Sequence, residues 1–259
     1  MDFSTFNRPE WIFFDLDDTL WDFAANSLRS LEYIYREYAL VRDKFPSFNS
    51  FLEVYHTHNS KMWEEFAKGN VSSDFIKTER WRATLYPDTP ADNPPSECVK
   101  INDAYLTKLA TFPHTPHGVI PLLEKLVKSK MIGIISNGFA DTQYRKLSSS
   151  GLWKYVCRVI VSDEIGIQKP DPRLFDYAIS ETGATGIPVM VGDNPDTDII
   201  GALIAGWKAI WYNPLNKQFP YTSDDLKAKG IDSDRYLGSA QDMREVEELL
   251  SKSHPVNRQ

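Results

Sequence analysis

Three short apolar runs in this 259-residue chain each end abruptly in acidic or small polar residues. A strand inside a parallel sheet is buried on both faces and is expected to be apolar throughout, so packing alone does not explain these ends. In open α/β sheets, ligands bind beyond the carboxyl ends of the strands. The pattern therefore predicts a parallel sheet with its functional side chains along that edge.

The first run, Trp-Ile-Phe-Phe at residues 11–14, leads directly into Asp15 and Asp17. Carboxylates just past a strand can hold a metal ion, and one of them can attack an electrophile. The neighbouring Asp18 is better explained as a solvent-facing or capping residue. Thr19 is better explained as structural support for the loop.

The second run ends in the polar residues Ser136 and Asn137, followed by a turn glycine. A separate short segment places Lys169 directly before Pro170. The residue before a proline is extended, and a helix begins only beyond it, so Lys169 is expected on a stiff loop. Taken alone, the serine would more often be a turn residue and the lysine a surface residue. Their combination with the other motifs favours a function.

The third run, residues 187–192, leads into a turn with three carboxylates within six positions: Asp193, Asp196 and Asp198. Such a cluster repels itself unless a cation lies among the charges. The turn therefore predicts a divalent metal ion at the same edge of the sheet. For Asp196 and Asp198 an alternative stays open, because acids at the start of a helix also stabilise its dipole.

Strand-like and helix-like segments alternate from His117 onward, which is typical of a parallel sheet wound on both sides. Strands are predicted at 11–15, 131–136, 157–161, 188–192, 208–212 and 235–237, and helices near 118–129, 141–150, 172–182, 196–205 and 241–251. From Trp21 to about Phe112, apolar residues recur instead at helical spacing. We therefore expect an α/β fold: a doubly wound, Rossmann-like parallel sheet from residues 1–20 and 114–259, with a helical insertion at 21–113.

Composition narrows the class of partner. The net charge is −7, so the surface lacks the excess of Lys and Arg that displaces counterions from a nucleic-acid polymer. A small phosphate ester needs only one local basic site. Cys98 and Cys157 have neither metal-ligand spacing nor the density of a disulfide scaffold. Without a signal-peptide core or an apolar stretch of about eighteen residues, we expect a cytoplasmic protein that does not enter a membrane.

Taken together, these motifs resemble the four motifs of the haloacid dehalogenase-like (HAD) hydrolase superfamily in both order and spacing. They are D-x-D-x-T from Asp15 to Thr19, Ser136, Lys169, and G-D-x-x-x-x-D from Gly192 to Asp198. The resemblance implies a helical cap, inserted after the first motif, that closes over an α/β catalytic core. It also implies Mg²⁺ as the cofactor and a small phosphorylated metabolite as the substrate.

The motif positions and the chemistry of phosphate esters predict a role for each residue. A phosphate monoester repels an anionic nucleophile unless cations first neutralise the phosphoryl oxygens, a task for Mg²⁺ and Lys169. Asp15 is the expected nucleophile, which forms an aspartyl-phosphate, and Asp17 is the expected general acid and base. Asp15 and Asp193 are the expected carboxylate ligands of the metal. The resemblance adds the backbone carbonyl of Asp17 as a ligand.

Two further roles concern the phosphoryl group and the lysine. Ser136, with the backbone amides of Asn137 and Gly138, is expected to donate hydrogen bonds to the transferring phosphoryl group. Asp198 matches the last acid of the fourth motif, which in the superfamily lies near the metal or orients the lysine. Its distance along the chain from Asp193 favours a position beside the metal ligands rather than among them.

Within the superfamily, segments around residues 21–23, 55–81 and 211–214 resemble YjjG-type 5′-nucleotidases and acylneuraminate-9-phosphatases. This favours nucleoside 5′-monophosphates as substrates. The alternatives are a sugar-phosphate phosphatase, of the acylneuraminate-9-phosphate or phosphoglycolate type, and a phosphomutase, which shares every motif. A haloacid dehalogenase needs no acid two residues after its nucleophile, so Asp17 counts against it. A non-catalytic binding module would be expected to have lost a charged position, and none is missing.

Overall fold

The computed structural model describes residues 10–252, which form two compact units. Within that range the first unit comprises residues 10–22, 115–143 and 150–252, and the second comprises residues 23–114 and 144–149. The domain boundaries expected from the sequence, and the role of the insertion as a cap, stay predictions. Residues 1–9, which argued against a signal peptide, lie outside the described range.

The first unit is built on a six-stranded sheet in which all neighbouring strands are parallel. Its strands are β1 (Glu10–Phe14), β2 (Lys130–Ser136), β3 (Arg158–Val161), β4 (Val189–Gly192), β5 (Lys208–Tyr212) and β6 (Tyr236–Ala240). Their order across the sheet is β3-β2-β1-β4-β5-β6. The predicted α/β fold with a parallel sheet is therefore confirmed. Every predicted strand overlaps an observed one, although β6 extends beyond the predicted 235–237.

Helices connect and flank the strands. They are α1 (Phe23–Glu37), α2 (Ala39–Lys44), α3 (Phe48–Ala67), α4 (Ser73–Leu85), α5 (Ser96–Leu109), α6 (Val119–Leu126), α7 (Ala140–Ser150), α8 (Ser162–Ile165), α9 (Pro172–Thr182), α10 (Ile200–Ile204), α11 (Ser223–Ala228) and α12 (Met243–Lys252), with short helical turns at Leu152–Tyr155 and Ser233–Arg235. The short helices α8 and α11 were not expected from the sequence. Among the described residues, no helix combines the length and apolarity needed to cross a membrane.

The helix predicted at 196–205 is present, but its first turn is not α-helical. A wider π turn at Pro195–Ile199 precedes α10. The N–H groups of Ile199 and Ile200 reach back five residues, to the carbonyl oxygens of Asn194 and Pro195. The hydrophobic spacing of the sequence does not distinguish this turn from an ordinary α-helical one.

Large apolar side chains form the core of the first unit around β1. The ring centroids of Phe13 and Trp207 are 4.9 Å apart, and Phe175 meets the same indole edge-on at 5.3 Å. All three side chains are buried, and each contributes about 2 kcal/mol through that burial. Opposite Phe13 on β2, a Cβ at Gly133 would lie 2.4 Å from the phenyl ring. The register that brings the ends of β1 and β2 together therefore depends on a glycine.

The second unit has an aromatic core that encloses a cationic side chain. The rings of Tyr55 and Trp81 lie 4.9 Å apart between centroids, and both side chains are buried. Arg80 is buried beside them and donates hydrogen bonds to the side-chain oxygens of Asn59 at 3.3 Å and Asn102 at 2.6 Å. We call Arg80, Asn59 and Asn102 the Arg80 cluster.

Candidate active site

The predicted site residues lie at the carboxyl ends of three adjacent strands. Asp15 directly follows β1, Ser136 is the last residue of β2, and Asp193 directly follows β4. Strand β1 lies between β2 and β4, where the order of the strands reverses. Ligands of open α/β sheets bind in the crevice beside such a reversal.

Three carboxylates meet at this edge. One oxygen each of Asp15, Asp193 and Asp198 lies within 4.8 Å of the other two. Asp15 and Asp198 are buried, and Asp193 is partly buried. A Cβ on Gly192 would lie 2.3 Å from Oδ2 of Asp198, so a glycine is needed before Asp193 for the three to approach. We call Asp15, Asp193 and Asp198 the acidic cluster.

The π turn after β4 selects which of its acids joins the cluster. The backbone N–H of Asn194 donates to Oδ2 of Asp198 at 3.0 Å, which turns that carboxylate back toward the strand end. Oδ1 of Asn194 accepts from the N–H groups of Asp196 and Thr197. Asp196 is exposed and accepts a hydrogen bond from the hydroxyl of Tyr221 instead. The turn therefore places Asp198 inside the site and Asp196 outside it.

Lys169 reaches the acidic cluster from the loop before α9. Its side chain is only 2% exposed, and its Nζ lies 2.6 Å from Oδ1 of Asp15 and 2.6 Å from Oδ1 of Asp198. Nζ also donates to the backbone oxygen of Ile135 at 2.8 Å. Nζ thus donates hydrogen bonds to Asp15 and Ile135, and its contact with Asp198 is an ion pair.

The loop after β2 holds the backbone of Lys169. The amide of Asn137 donates to the carbonyl oxygen of Lys169 at 2.9 Å and accepts from its N–H at 2.9 Å. Through these two hydrogen bonds, the side chain of Asn137 positions the backbone of Lys169. The following peptide bond, Lys169–Pro170, is cis. The expected contact of the backbone amide of Asn137 with a phosphoryl group stays a prediction.

Burial and charge alter the pKa values in the cluster. Burial is the largest effect on Asp15; Lys169 acts against it and Asp198 adds to it, and together they raise the pKa of Asp15 from 3.8 to about 7. The pKa of Asp193 is raised well above 3.8 by burial, and then by Asp198 and Asp15. Burial alone would lower the pKa of Lys169, but Asp15 and Asp198 outweigh it and raise that pKa. Lys169 is therefore cationic, and one ammonium faces three crowded carboxyl groups.

The loop after β1 turns back on itself and thereby fixes Asp17. The backbone N–H groups of Leu20 and Trp21 both donate to the carbonyl oxygen of Leu16, at 3.0 and 2.8 Å. Asp18 has a φ of +56°, a left-handed conformation that aspartate tolerates better than most residues. This conformation fits the local structural role that the sequence suggested for Asp18.

Gln143 on α7 joins two of the predicted residues, and sequence reasoning missed it. Its Nε2 donates to Oδ2 of Asp17 at 2.9 Å and to Oγ of Ser136 at 2.6 Å. The available signal was a glutamine seven residues after Ser136, in the first turn of the helix that follows the polar loop. The structure thus brings Asp15, Lys169 and the rest of the acidic cluster together, and Gln143 connects Asp17 with Ser136. The role of each residue stays a prediction.

Family membership follows from a match along the chain. The profile of the haloacid dehalogenase-like hydrolase family matches residues 9–206, which contain every site residue described above. The chain belongs to this family. The superfamily resemblance drawn from the four motifs is therefore confirmed, and the protein is a HAD-like hydrolase.

Known proteins show how far the similarity of this HAD-like hydrolase extends. The pyrimidine 5′-nucleotidase YjjG of Escherichia coli is 29% identical over 245 residues, 94% of this chain and 98% of that protein. The N-acylneuraminate-9-phosphatase of Homo sapiens is 30% identical over 221 residues, 80% of this chain and 84% of that protein. A crystal structure of the HAD-hydrolase YfnB of Bacillus subtilis, bound to magnesium, shares the fold with a TM-score of 0.77 at 24% identity, over 94% and 99% of the two chains. The predicted branch is confirmed.

Proposed function

We propose that this HAD-like hydrolase is a Mg²⁺-dependent phosphomonoesterase that acts through an aspartyl-phosphate on Asp15, with nucleoside 5′-monophosphates as substrates. The observation that carries the proposal is the buried contact of Lys169 with Asp15 and Asp198, next to Asp193 and at the end of β1. This arrangement holds one carboxylate beside a fixed positive charge. A nucleophile for an anionic phosphate ester requires such a neighbour.

The donor set fits a hard divalent cation. Three carboxylate oxygens lie within 4.8 Å of one another, and Lys169 supplies one positive charge against them. Mg²⁺ prefers oxygen ligands and commonly takes one or two carboxylates together with several waters. We expect Asp15, Asp193 and the carbonyl of Asp17 to hold it, while Asp198 stays with Lys169. When bound there, Mg²⁺ supplies positive charge that neutralises the phosphoryl oxygens.

Two chemical steps follow from the roles of Asp15 and Asp17. In the first, a carboxylate oxygen of Asp15 bonds to phosphorus as the bond from phosphorus to the leaving oxygen breaks, and Asp17 gives that oxygen its proton. In the second, Asp17 takes a proton from a water molecule, whose oxygen attacks the phosphorus and frees Asp15 and inorganic phosphate. Asp17 thus ends each cycle protonated, as it began.

The choice of substrate rests on the relatives. The E. coli relative is named a pyrimidine 5′-nucleotidase, and the alignment with it covers nearly the whole chain, including the helical unit. We propose that this unit is the cap that the superfamily resemblance implies, and that it selects the leaving group. A cytoplasmic location stays a prediction.

Phosphate release from a panel of purine and pyrimidine 5′-monophosphates, with Mg²⁺ present, tests this proposal. We expect turnover that disappears with a chelator and with Asp15→Asn. Mass spectrometry of acid-quenched enzyme should find one phosphoryl group on the peptide that contains Asp15. Turnover by Asp15→Asn would refute the nucleophile. A panel that is ignored entirely would refute the nucleotide assignment.

A sugar phosphatase is the second candidate, because the human relative is an N-acylneuraminate-9-phosphatase with 30% identity. Rapid phosphate release from N-acylneuraminate 9-phosphate, with slow release from nucleotides, would favour it. A phosphomutase would instead isomerise a sugar phosphate without releasing phosphate. A dehalogenase would release halide from a haloacid without added metal.

A further inference from the structure

The Gln143 side chain is completely buried, and among the described residues only the nitrogen of its amide group makes hydrogen bonds. Its Nε2 donates to Oδ2 of Asp17 at 2.9 Å and to Oγ of Ser136 at 2.6 Å. Its Oε1 is buried, and no hydrogen-bond partner for it lies within the described part of the chain. A buried polar group without a partner costs free energy, so a site that retains one calls for an explanation beyond packing.

The loop after β2 is shaped around this amide. A Cβ on Gly138 would lie 2.2 Å from Nε2 and 2.5 Å from Cδ of Gln143. Because Gly138 does not have a positive φ, its backbone conformation does not require glycine. The close approach of Gln143 is therefore the structural reason for a glycine at this position.

Gln143 decides which way the Ser136 hydroxyl can donate. Oγ of Ser136 accepts from the N–H of Gly138 at 3.3 Å and from Nε2 of Gln143 at 2.6 Å. A hydroxyl oxygen has two acceptor positions and one hydrogen. With both acceptor positions used, the hydrogen of Ser136 is left to donate in the remaining direction.

Gln143 also fixes the rotation of the Asp17 carboxylate. Its amide donates one hydrogen bond to Oδ2 and does not ionise at ordinary pH. It can therefore hold the carboxylate in place without competing for the proton that Asp17 transfers. An amide between a proton-transfer group and a hydroxyl donor keeps both in one geometry.

We propose that Gln143 is a positioning residue, which aligns Asp17 for proton transfer to the leaving oxygen and aligns the Ser136 hydroxyl on the phosphoryl group. This role rests on the proposed phosphomonoesterase function. It does not depend on which monoester is the substrate. It predicts a defect that depends on the leaving group, which a purely structural role would not produce.

The test compares kcat/KM of the wild-type enzyme and Gln143→Met on two esters. One is p-nitrophenyl phosphate, whose leaving group needs little protonation, and the other is the alkyl monoester that the wild-type enzyme hydrolyses fastest. We expect kcat/KM to fall roughly 100-fold on the alkyl ester and only about five-fold on p-nitrophenyl phosphate. Inhibition by inorganic phosphate should weaken about five-fold, since the Ser136 hydroxyl loses its fixed direction.

Gln143→Glu and Thr142→Val complete the design. Gln143→Glu keeps the shape of the side chain but places a carboxylate against Asp17, and we expect it to show the same difference between the two esters. Thr142→Val changes the neighbouring buried residue of α7 and should stay within about two-fold of wild type on both esters.

Equal losses on both esters, or no loss, with unchanged phosphate inhibition would overturn the positioning role. Failure of both Gln143 variants to fold would overturn it as well, because it would assign the residue to the fold. A wild-type enzyme that hydrolyses neither ester would refute the proposed function itself. These outcomes separate the two proposals.

Discussion

Both units bury a cationic side chain, but they surround it with different acceptors. In the first unit, Nζ of Lys169 lies 2.6 Å from a carboxylate oxygen of Asp15 and 2.6 Å from one of Asp198. In the second, the guanidinium of Arg80 donates to the neutral amide oxygens of Asn59 and Asn102. Lys169 and Arg80 are equally hidden, each with 2% of its surface exposed.

The two arrangements differ in whether their buried charges favour the binding of a further cation. Burial, and then the neighbouring carboxylates around Lys169, raise the pKa of Asp15 to about 7 and that of Asp193 well above 3.8. Such a group is stabilised further by a second cation. Amide oxygens accept hydrogen bonds without adding charge, so the contacts of the Arg80 cluster do not favour a further cation. We infer that the carboxylates around Lys169 serve a reaction, whereas the amides around Arg80 serve the stability of the helical unit.

The largest expected effect is the loss of turnover in Asp15→Asn. The amide cannot attack phosphorus, so we expect kcat to fall by about 10⁴-fold or more, the usual cost of removing a nucleophile. The matched control is Asp196→Asn, an acid of the π turn that lies outside the acidic cluster and should keep nearly full activity. Steady-state phosphate release measures both. A large loss in Asp196→Asn would mean that the site extends beyond the cluster.

The next prediction sets the two buried cations against each other. Lys169→Met leaves two buried carboxylates without their cation, and we expect a cost of about 3–5 kcal/mol in the free energy of unfolding. Arg80→Met leaves neutral amide oxygens with a lost hydrogen bond each, at a cost of about 1–3 kcal/mol. Denaturant unfolding in the presence of a chelator measures the two values. An Arg80 variant that loses as much as the Lys169 variant would break the distinction between the units.

The stability of wild type and that of Asp193→Asn should depend differently on pH. Because the pKa of Asp193 is raised in the folded state, mainly by burial, its ionisation costs stability, and the free energy of unfolding falls as pH rises above 3.8. In metal-free protein above pH 3.8, Asp193→Asn should therefore be more stable than wild type, by a margin that grows as the pH rises. Below pH 3.8 the difference should vanish, because Asp193 is then protonated in both states.

The same variant should lose its response to Mg²⁺. A ligand that binds only the folded state raises Tm, so wild type should gain stability on Mg²⁺ addition and Asp193→Asn should gain little. Thermal unfolding with and without Mg²⁺ measures this. An equal Mg²⁺ response in both proteins would place the cation away from Asp193.

The parts of the fold that follow from local pattern were predictable from the sequence. Apolar runs bounded by polar turns predicted the strands, and the acids directly after β1 and β4 predicted the edge where Asp15 and Asp193 meet. The features that could not be predicted depend on three-dimensional geometry, which no local sequence pattern indicates. Asp196 and Asp198 share one turn, but the N–H of Asn194 donates to the carboxylate of Asp198, whereas that of Asp196 accepts from Tyr221.

Gln143 could not be predicted as a site residue for a related reason. Its contact with Asp17 spans 126 positions of the chain, and it depends on how α7 is rotated about its axis. A polar residue on a helix is usually solvated, so nothing in its own neighbourhood marks it as buried. Long-range polar contacts of this kind become visible only after the helix has been packed.

The smallest expected effects come from two glycines with opposite surroundings. Gly138 has an ordinary backbone conformation, but a Cβ would lie 2.2 Å from Nε2 of Gln143; Gly69 in the helical unit has a φ of +76° and open space around it. Gly138→Ala should therefore displace the amide and lower kcat/KM about ten-fold, mainly for alkyl esters, with little change in Tm. Gly69→Ala should leave activity unchanged and cost about 1 kcal/mol of stability through backbone strain. Kinetics and thermal unfolding of the two variants measure both effects, and the reverse pattern would show that the helical unit, not the sheet edge, sets the geometry of the chemistry.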